Sequence, residues 1–463
     1  MGEAAFAVDE QLLLRYGGAG PRYTSYPTVP EWSREFGPQG AEAAFERAAR
    51  SREPLSLYVH LPFCRELCLY CGCTVQITRR AELVEDYLEA LELEIGRAAA
   101  LLGERRDVLQ MHWGGGTPTH LTPEQIERLH GMLAREFRLL PGAEQSIEVH
   151  PHVTGHEHVD TLAGLGFRRV SLGVQDLDTR VQEVVHRYQT TEETADLIEH
   201  CRKVGVTGIN VDLMYGLPEQ SEATFAATLD TIARLRPDRL AVYAYAHVPW
   251  LKPFQKALEA YDLPDAPRRA RLFALAIERL SREGWRVIGL DHFALESDAL
   301  YVALQDGSLH RNFMGYTTHP AEESLALGMS AISDLGGAFF QNEPTTREYQ
   351  ARVGAGALAV HRGLARSPED DLRRAAIQDV MCRMRLDLDE LGARFGRDDL
   401  RAHFAAEWRA LEPLAAEGFC TLEPGRVDVL PQGRLFLRHL AMVFDAYLKR
   451  EHPADGPRFS RTV

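Results

Sequence analysis

Between residues 55 and 290, short apolar runs of strand length alternate with longer amphipathic stretches. The runs are LSLYVHL (55–61), VLQMHW (108–113), SIEV (146–149), RVSLGV (169–174), INVDLMY (209–215), LAVYAYA (240–246) and RVIGL (286–290). Stretches such as RAELVEDYLEALELEIGRAAALL and TPEQIERLHGMLAREF lie between them, with apolar residues at helical period. Strands separated by helices of this length pair in parallel, because each connection is long enough to cross back over the sheet. Six or seven such units in series predict an α/β barrel or an open partial barrel.

Chemistry gathers where these strands would end. The first is followed by four thiols, and the second runs into GGGTP (114–118). The third ends at Glu148 and the fourth at Gln175 and Asp176. The fifth contains Asp212, and the sixth leads into YAHVP. In a (β/α) barrel the C-terminal strand ends converge on one face, where active sites are built. One polar strand end is ordinary, because loops are polar. Six of them, with thiols at the first, describe the rim of a site.

The first strand opens into HLPFCRELCLYCGC, from His60 to Cys73. Cys64, Cys68, Cys71 and Cys73 are spaced C-x3-C-x2-C-x-C, four of the seven cysteines in the chain. A structural zinc site usually draws its four ligands from two knuckles far apart. Here one loop would supply all four, and Cys71 and Cys73 are separated by a single glycine. A disulfide framework is disfavoured by the odd count and by a reducing compartment. An iron–sulfur cluster suits both the soft donors and the clustered spacing better. Three thiolates on a cubane leave one iron open to another ligand, as catalytic metal sites do. Cys201, Cys382 and Cys420 stand alone and read as ordinary buried thiols.

The 463 residues are 45% hydrophobic and 26% charged, a soluble globular balance large enough for two or three units. A net charge of −15 opposes general binding to nucleic acid or anionic membranes, and leaves room for a local basic pocket. No apolar run reaches the roughly 18 residues of a membrane span. The opening MGEAAFAVDEQLLLRYGG carries acids early, has no basic leader region, and has Phe6 where a myristoylation signal needs Ser or Thr. A cytoplasmic location is expected.

Residues 1–50, with GGAGPRYTSYPTVPEW, read as an irregular N-terminal arm over the active site, and 51–360 as the barrel. Over 361–463 the strand rhythm stops. RRAAIQDVMCRMRLDLDELGARFG and LRAHFAAEWRALEPLAAEGF read as helices, CTLEPGRVDVL as a hairpin, and PQGRLFLRHLAMVFDAYLKR as a last helix. That order predicts a mainly helical, winged-helix-like domain, with too few clustered basic residues for DNA binding.

The C-x3-C-x2-C loop after one strand, with a glycine triplet after the next, resembles the radical S-adenosylmethionine (SAM) superfamily. RYTSYPT (22–28), YVHLPFCRELCLYCGC (58–73), HWGGGTPTHL (112–121), SLGVQD (171–176), VDLMYGLP (211–218), HFAL (292–295) and HRNFMGYTT (310–318) extend the likeness. Over nearly the whole chain they look like the oxygen-independent coproporphyrinogen III oxidase (dehydrogenase) family. The resemblance implies a partial (β/α)6 radical-SAM barrel with an arm and a helical C-terminal domain. It implies a [4Fe–4S] cluster on Cys64, Cys68 and Cys71, with SAM chelating the fourth iron and cleaved to a 5′-deoxyadenosyl radical. It also implies two SAM molecules. Tyr58, Gly115, Glu148 and Ile332 match contacts of the cluster-bound SAM. Tyr70, Gly116, Thr117, Gln175, Arg187, Asp212 and Ala246 match the second site. Glu148 and Asp212 can accept hydrogen bonds from ribose or amino groups, and Arg187 can pair with a carboxylate.

The implied reaction converts two propionates of coproporphyrinogen III to vinyls with loss of CO2, giving protoporphyrinogen IX for heme. An unidentified electron donor and acceptor are required, and a monomer is expected. Cys73 would be no ligand, since a fourth thiolate would close the iron that SAM needs; it is a candidate hydrogen or proton donor. Arg22, His310 and Arg311 are candidates for the substrate's carboxylates. One stretch departs from the family: EVHPHVTGHEHVD brings His150, His152, His156 and His158 together, read as a solvated loop in preference to a metal site. The rival function is a heme-binding chaperone of the same superfamily; such relatives typically lack the cysteine at 73 and the RYTSYPT arm, both present here.

Overall fold

The computed structural model describes residues 9–318, 321–448 and 459. All the expected strands form. The first six are β1 (Leu55–Leu61), β2 (Asp107–Gly115), β3 (Arg138–Val149), β4 (Arg169–Gln175), β5 (Gly208–Tyr215) and β6 (Arg239–Ala244). Between them run α1 (Ala81–Leu102), α2 (Pro123–Glu136), α3 (His156–Gly164), α4 (Thr179–Val185), α5 (Thr191–Lys203) and α6 (Glu222–Leu235). Local chemistry starts several of these helices. Thr122 with Gln125, and Thr190 with Glu193, form reciprocal caps that satisfy the first free N–H groups of α2 and α5.

The described chain packs as two compact units, and neither is continuous in sequence. One comprises residues 32–212 and 321–366; the other comprises 9–31, 213–318 and 367–448. Residues 1–50, read as one arm from sequence, therefore divide after Glu31.

In the first unit β1, β2, β3 and β4 pair in parallel, in chain order. On its other side β1 pairs in parallel with a strand at Ser324–Leu327, and three antiparallel strands, Ile332–Leu335, Ala338–Asn342 and Val360–Ala365, follow. Burial alternates along β4: Val170, Leu172 and Val174 are buried, while Arg169, Ser171, Gly173 and Gln175 are half-buried. β5 does the same, with Asn210 and Asp212 on the more open face. This two-residue period sends an apolar row to the core and a polar row to the site.

In the second unit β6 pairs antiparallel with β8 (His292–Leu295), which pairs antiparallel with β7 (Trp285–Gly289). The seventh apolar run is thus one arm of a hairpin and not a further parallel unit. Only Leu290 and Asp291 join its two strands, too little chain for a crossover. The arm residues of this unit are tied to the chain's far end. The Tyr23 hydroxyl donates to Asp445 at 2.9 Å, and Ala446 N–H donates to the Tyr26 hydroxyl at 3.1 Å.

Two C-terminal expectations change. The stretch read as one helix from Arg373 breaks at Met384, which takes a left-handed φ of 54°. Arg385–Asp387 then pairs with Arg426–Val429, and Asp387 caps a new helix, Leu388–Phe395. With the Cys420–Glu423 and Arg426–Val429 hairpin, this is a winged-helix arrangement. The expected last helix is shorter: a 3-10 turn, Pro431–Phe436, then Leu437–Met442, with residues 449–450 outside those described. A Cβ on Gly433 would sit 1.9 Å from the Phe419 carbonyl oxygen, and Phe436 stacks on Phe419 at 4.2 Å. Packing on the hairpin overrides the helical period there.

Candidate active site

The cysteine loop leaves β1 and is pinned at several points within the first unit. Phe63 and Cys64 pair with Gln76 and Ile77, so the loop closes on its own base. Leu69 N–H donates to the Val185 carbonyl at the end of α4 (2.9 Å), and Cys71 N–H to the Cys68 carbonyl (3.0 Å). His60, on β1, meets the Thr74 carbonyl through Nε2 at 3.0 Å and the Tyr58 hydroxyl through Nδ1 at 3.1 Å. Cys64, Cys68 and Cys71 are half-buried, and Cys73 is exposed. Burial lifts the Cys64 thiol to about 11, against a hydrogen bond with Thr117 at 3.6 Å. A hydrogen bond with Cys71 raises the Cys73 thiol as well.

The glycine triplet at the end of β2 is crowded by the protein itself. A Cβ on Gly114 would stand 3.0 Å from the Glu148 carboxylate. On Gly115, at φ +122°, it would stand 2.8 Å from the His60 ring, and on Gly116 2.7 Å from the Pro62 carbonyl oxygen. Gly116 faces backbone and admits no side chain, while a side chain at Gly114 or Gly115 would displace Glu148 or His60. Glu148 accepts the Gly115 N–H at 3.0 Å, and His112 Nε2 lies 3.5 Å from its other oxygen. Burial alone would raise Glu148, but His112 and the Gly115 N–H outweigh it and hold the carboxyl below its ordinary value. His112 is oriented by Ser146 (2.7 Å) and by the Tyr58 ring, stacked at 6.0 Å.

Asp212 stands between Ser171 (3.1 Å) and Asn210 (2.8 Å), both of which donate to it. Burial, and then the Glu148 charge, push it up to about 7 despite those bonds. Arg187 Nη1 lies 3.8 Å from Cys68 Sγ, and Nη2 donates to the Gly173 carbonyl. Its Nε and the Gln175 Oε1 are buried with no hydrogen-bond partner among the described residues. Gln175 also holds a left-handed φ of 69°, a strained conformation of the kind found at ligand sites. Tyr70 is buried beside Cys68 and Arg187. Ile332 is half-buried at the start of its strand.

The first unit holds the sequence-derived candidates Tyr58, Cys64, Cys68, Tyr70, Cys71, Cys73, Gly115, Gly116, Thr117, Glu148, Gln175, Arg187, Asp212 and Ile332. Ala246, Arg22, His310 and Arg311 belong to the other unit. His60, His112, Ser171 and Asn210 were missed. The signal for them was available: each lies two residues, or one strand over, from a chosen residue on the same face of the sheet.

The model of the radical SAM superfamily matches residues 58–232, and that of the HemN C-terminal domain matches 367–436. The oxygen-independent coproporphyrinogen III oxidase of Salmonella typhimurium is 41% identical over 465 residues, covering 100% of both chains. That of Escherichia coli K12 is 41% identical over 458 residues, covering 98% of both. This chain belongs to the oxygen-independent coproporphyrinogen III oxidase family. The solved coproporphyrinogen III oxidase of Escherichia coli superposes with a TM-score of 0.90 at 40% identity, covering 96% of this chain and 100% of that one.

A member of this radical SAM family uses a [4Fe–4S] cluster and SAM. The donor set fits. Cys64, Cys68 and Cys71 lie close enough on one loop to act on one another electrostatically, and a cubane takes each thiolate on a different iron. The partnerless Arg187 Nε and Gln175 Oε1 are a donor and an acceptor suited to a polar ligand such as an amino acid.

Proposed function

We infer that this chain is an oxygen-independent coproporphyrinogen III oxidase that converts two propionates of coproporphyrinogen III to vinyls, yielding protoporphyrinogen IX in heme biosynthesis. The full-length likeness at 41% identity carries this reading, since it spans arm, barrel and C-terminal domain alike. Each propionate gives up one carbon dioxide, one proton and two electrons. When bound, the cluster and SAM supply the one-electron chemistry that starts this loss.

The protein's own residues position the reactants. In this reading Cys64, Cys68 and Cys71 hold the cluster. Glu148, kept ionised by His112, accepts from the amino group of the cluster-bound SAM beside Tyr58, Gly115 and Ile332. Gln175, Arg187 and Asp212, with Tyr70, Gly116, Thr117 and Ala246, serve a second SAM, Arg187 meeting its carboxylate. Cys73 donates a hydrogen or proton. Arg22, Arg311 and His310 meet substrate carboxylates: Arg22 pairs with Asp291 at 3.0 Å, buried Arg311 donates to the Arg22 carbonyl, and His310 is half-buried beside it in sequence. Residues 1–50 act as the arm over the site, 51–360 as the catalytic barrel and 361–463 as a helical support. The protein works as a cytoplasmic monomer with a separate electron donor and acceptor. Among the described residues no helix is long and apolar enough to cross a membrane.

The test is an anaerobic assay of the reconstituted protein with coproporphyrinogen III, SAM and a reductant. Protoporphyrinogen IX and methionine should appear together. Heme retention without product would favour the chaperone instead.

A further inference from the structure

Each thiol of the C-x3-C-x2-C loop meets a hydrogen-bonding side chain of its own unit. Thr117 Oγ1 lies 3.6 Å from Cys64 Sγ, and Arg187 Nη1 lies 3.8 Å from Cys68 Sγ. The Tyr70 hydroxyl also bonds Cys68, and Cys73 bonds Cys71. A free thiol could be the donor in the pair with Thr117, but a thiolate that ligates iron has no proton to give. With metal bound, Thr117, Tyr70 and Arg187 are the donors and the sulfurs the acceptors.

Backbone bonds set these contacts. Thr117 N–H donates to the Phe63 carbonyl at 2.9 Å, one residue before Cys64. Leu69 N–H donates to the Val185 carbonyl at 2.9 Å, one residue after Cys68 and two before Arg187. Each bond fixes a donor beside its sulfur. Arg187 is held a second time, through Nη2 to the Gly173 carbonyl. All three donors are buried: Thr117 is 7% exposed, Tyr70 8% and Arg187 9%. Water therefore screens their dipoles and charge poorly, and they act on the sulfurs more strongly than surface groups would.

We propose that Thr117, Tyr70 and Arg187 set the reduction potential of the cluster by donating hydrogen bonds to the Cys64 and Cys68 sulfurs. The proposal rests on the reading of Cys64, Cys68 and Cys71 as the cluster's ligands, and it gives three residues matched to the second SAM site a further task. Reduction adds one electron from the separate donor and makes or breaks no bond. The added negative charge is shared by the sulfurs, and hydrogen bonds to them stabilise it. The three donors therefore raise the potential, and the electron enters more readily than it would in a bare apolar pocket.

The test is a potentiometric titration of the reconstituted, SAM-free protein with titanium(III) citrate, read by the electron paramagnetic resonance of the reduced cluster, with iron and sulfide measured on the same samples. Wild type is compared with Thr117→Val, Tyr70→Phe and Arg187→Gln. Iron and sulfide should match wild type, and all three midpoints should fall. Arg187→Gln removes a full charge, so its reduced-to-oxidised ratio at a fixed potential should drop about tenfold, or about 59 mV for one electron. Thr117→Val and Tyr70→Phe each remove one neutral donor and should lower the ratio about threefold. These two decide, because both keep the shape of the side chain, whereas the loss of buried Arg187 also disturbs packing. A midpoint equal to or above wild type in either one would overturn the proposal. So would loss of iron from either, which would make that residue a support for cluster assembly. Cys64→Ser and Cys68→Ser, prepared alongside, separate the two readings. Full iron in either refutes the ligand set. Iron lost from both, with the Thr117→Val midpoint unchanged, refutes the tuning alone.

Discussion

Two stretches of the first unit concentrate ligand-type residues almost equally: four cysteines over 64–73 and four histidines over 150–158. Their surroundings differ completely. The thiols sit on a loop tied down through its backbone, with Cys68 against Arg187 and Cys64 against Thr117. The histidines are spent on local structure. His152 pairs with Glu193 at 2.9 Å and His156 with Asp196 at 2.7 Å. His158 accepts the Gly155 N–H at 3.2 Å as a helix cap, and His150 accepts the His152 N–H at 3.2 Å. Burial, then the Arg187 charge, lower His150 until it stays neutral. The His156 ring stacks on His200 at 3.8 Å, and His200 pairs with Asp160. Density of metal-binding side chains along the chain is therefore a weak guide. A site needs donors whose bonds are still to be made.

The contrast breaks most sharply at the thiols. Cys64→Ser, Cys68→Ser or Cys71→Ser should abolish cluster incorporation and all turnover, read as loss of iron, sulfide and the thiolate-to-iron absorption band. Full iron content in any of the three would refute that ligand set.

Cys73→Ser tests whether the fourth thiol belongs with the other three. Iron content, SAM affinity and melting temperature should match wild type, while most conversion to protoporphyrinogen IX is lost. Lost iron would make Cys73 a ligand, and wild-type product would leave it a surface thiol.

Asp212 sharpens the comparison through pH. Its folded value, about 7, lies above that of a free aspartate, so between roughly pH 4 and 7 the folded protein binds the extra proton. Stability of the cofactor-free protein should fall as pH rises across that window, and Asp212→Asn should flatten the fall. SAM affinity should run the opposite way, rising as pH climbs through about 7, because the ionised carboxylate is the better acceptor. A SAM titration at pH 6 and pH 8, with Asp212→Asn alongside, checks both signs.

The smallest effect belongs to the histidines. His156→Ala removes an exposed ion pair and a ring stack, so unfolding free energy should drop by only about 0.5–1 kcal/mol, with unchanged turnover. A tenfold loss of activity would show that this cluster serves the reaction after all.

The sequence alone determined the parallel βα rhythm, the thiol loop at its first strand end and the polar residues at the others. Each is a local pattern of period or spacing. Tertiary structure decided what those patterns do not carry. Seven apolar runs look alike in composition, but the two-residue link at Leu290 and Asp291 turns the last into a hairpin. The resemblance makes Gly115 and Gly116 contacts of SAM, and only the fold shows that Glu148, His60 and Pro62 press on the glycines of GGGTP from elsewhere in the chain. The histidines read as a cluster until Glu193 and Asp196 on α5 paired with His152 and His156. Arg22 carried no sign of its partner in its own segment, because Asp291, 3.0 Å away in space, lies 269 residues along the chain. Charges become a site only when folding removes the water between them and sets the distances at which they act.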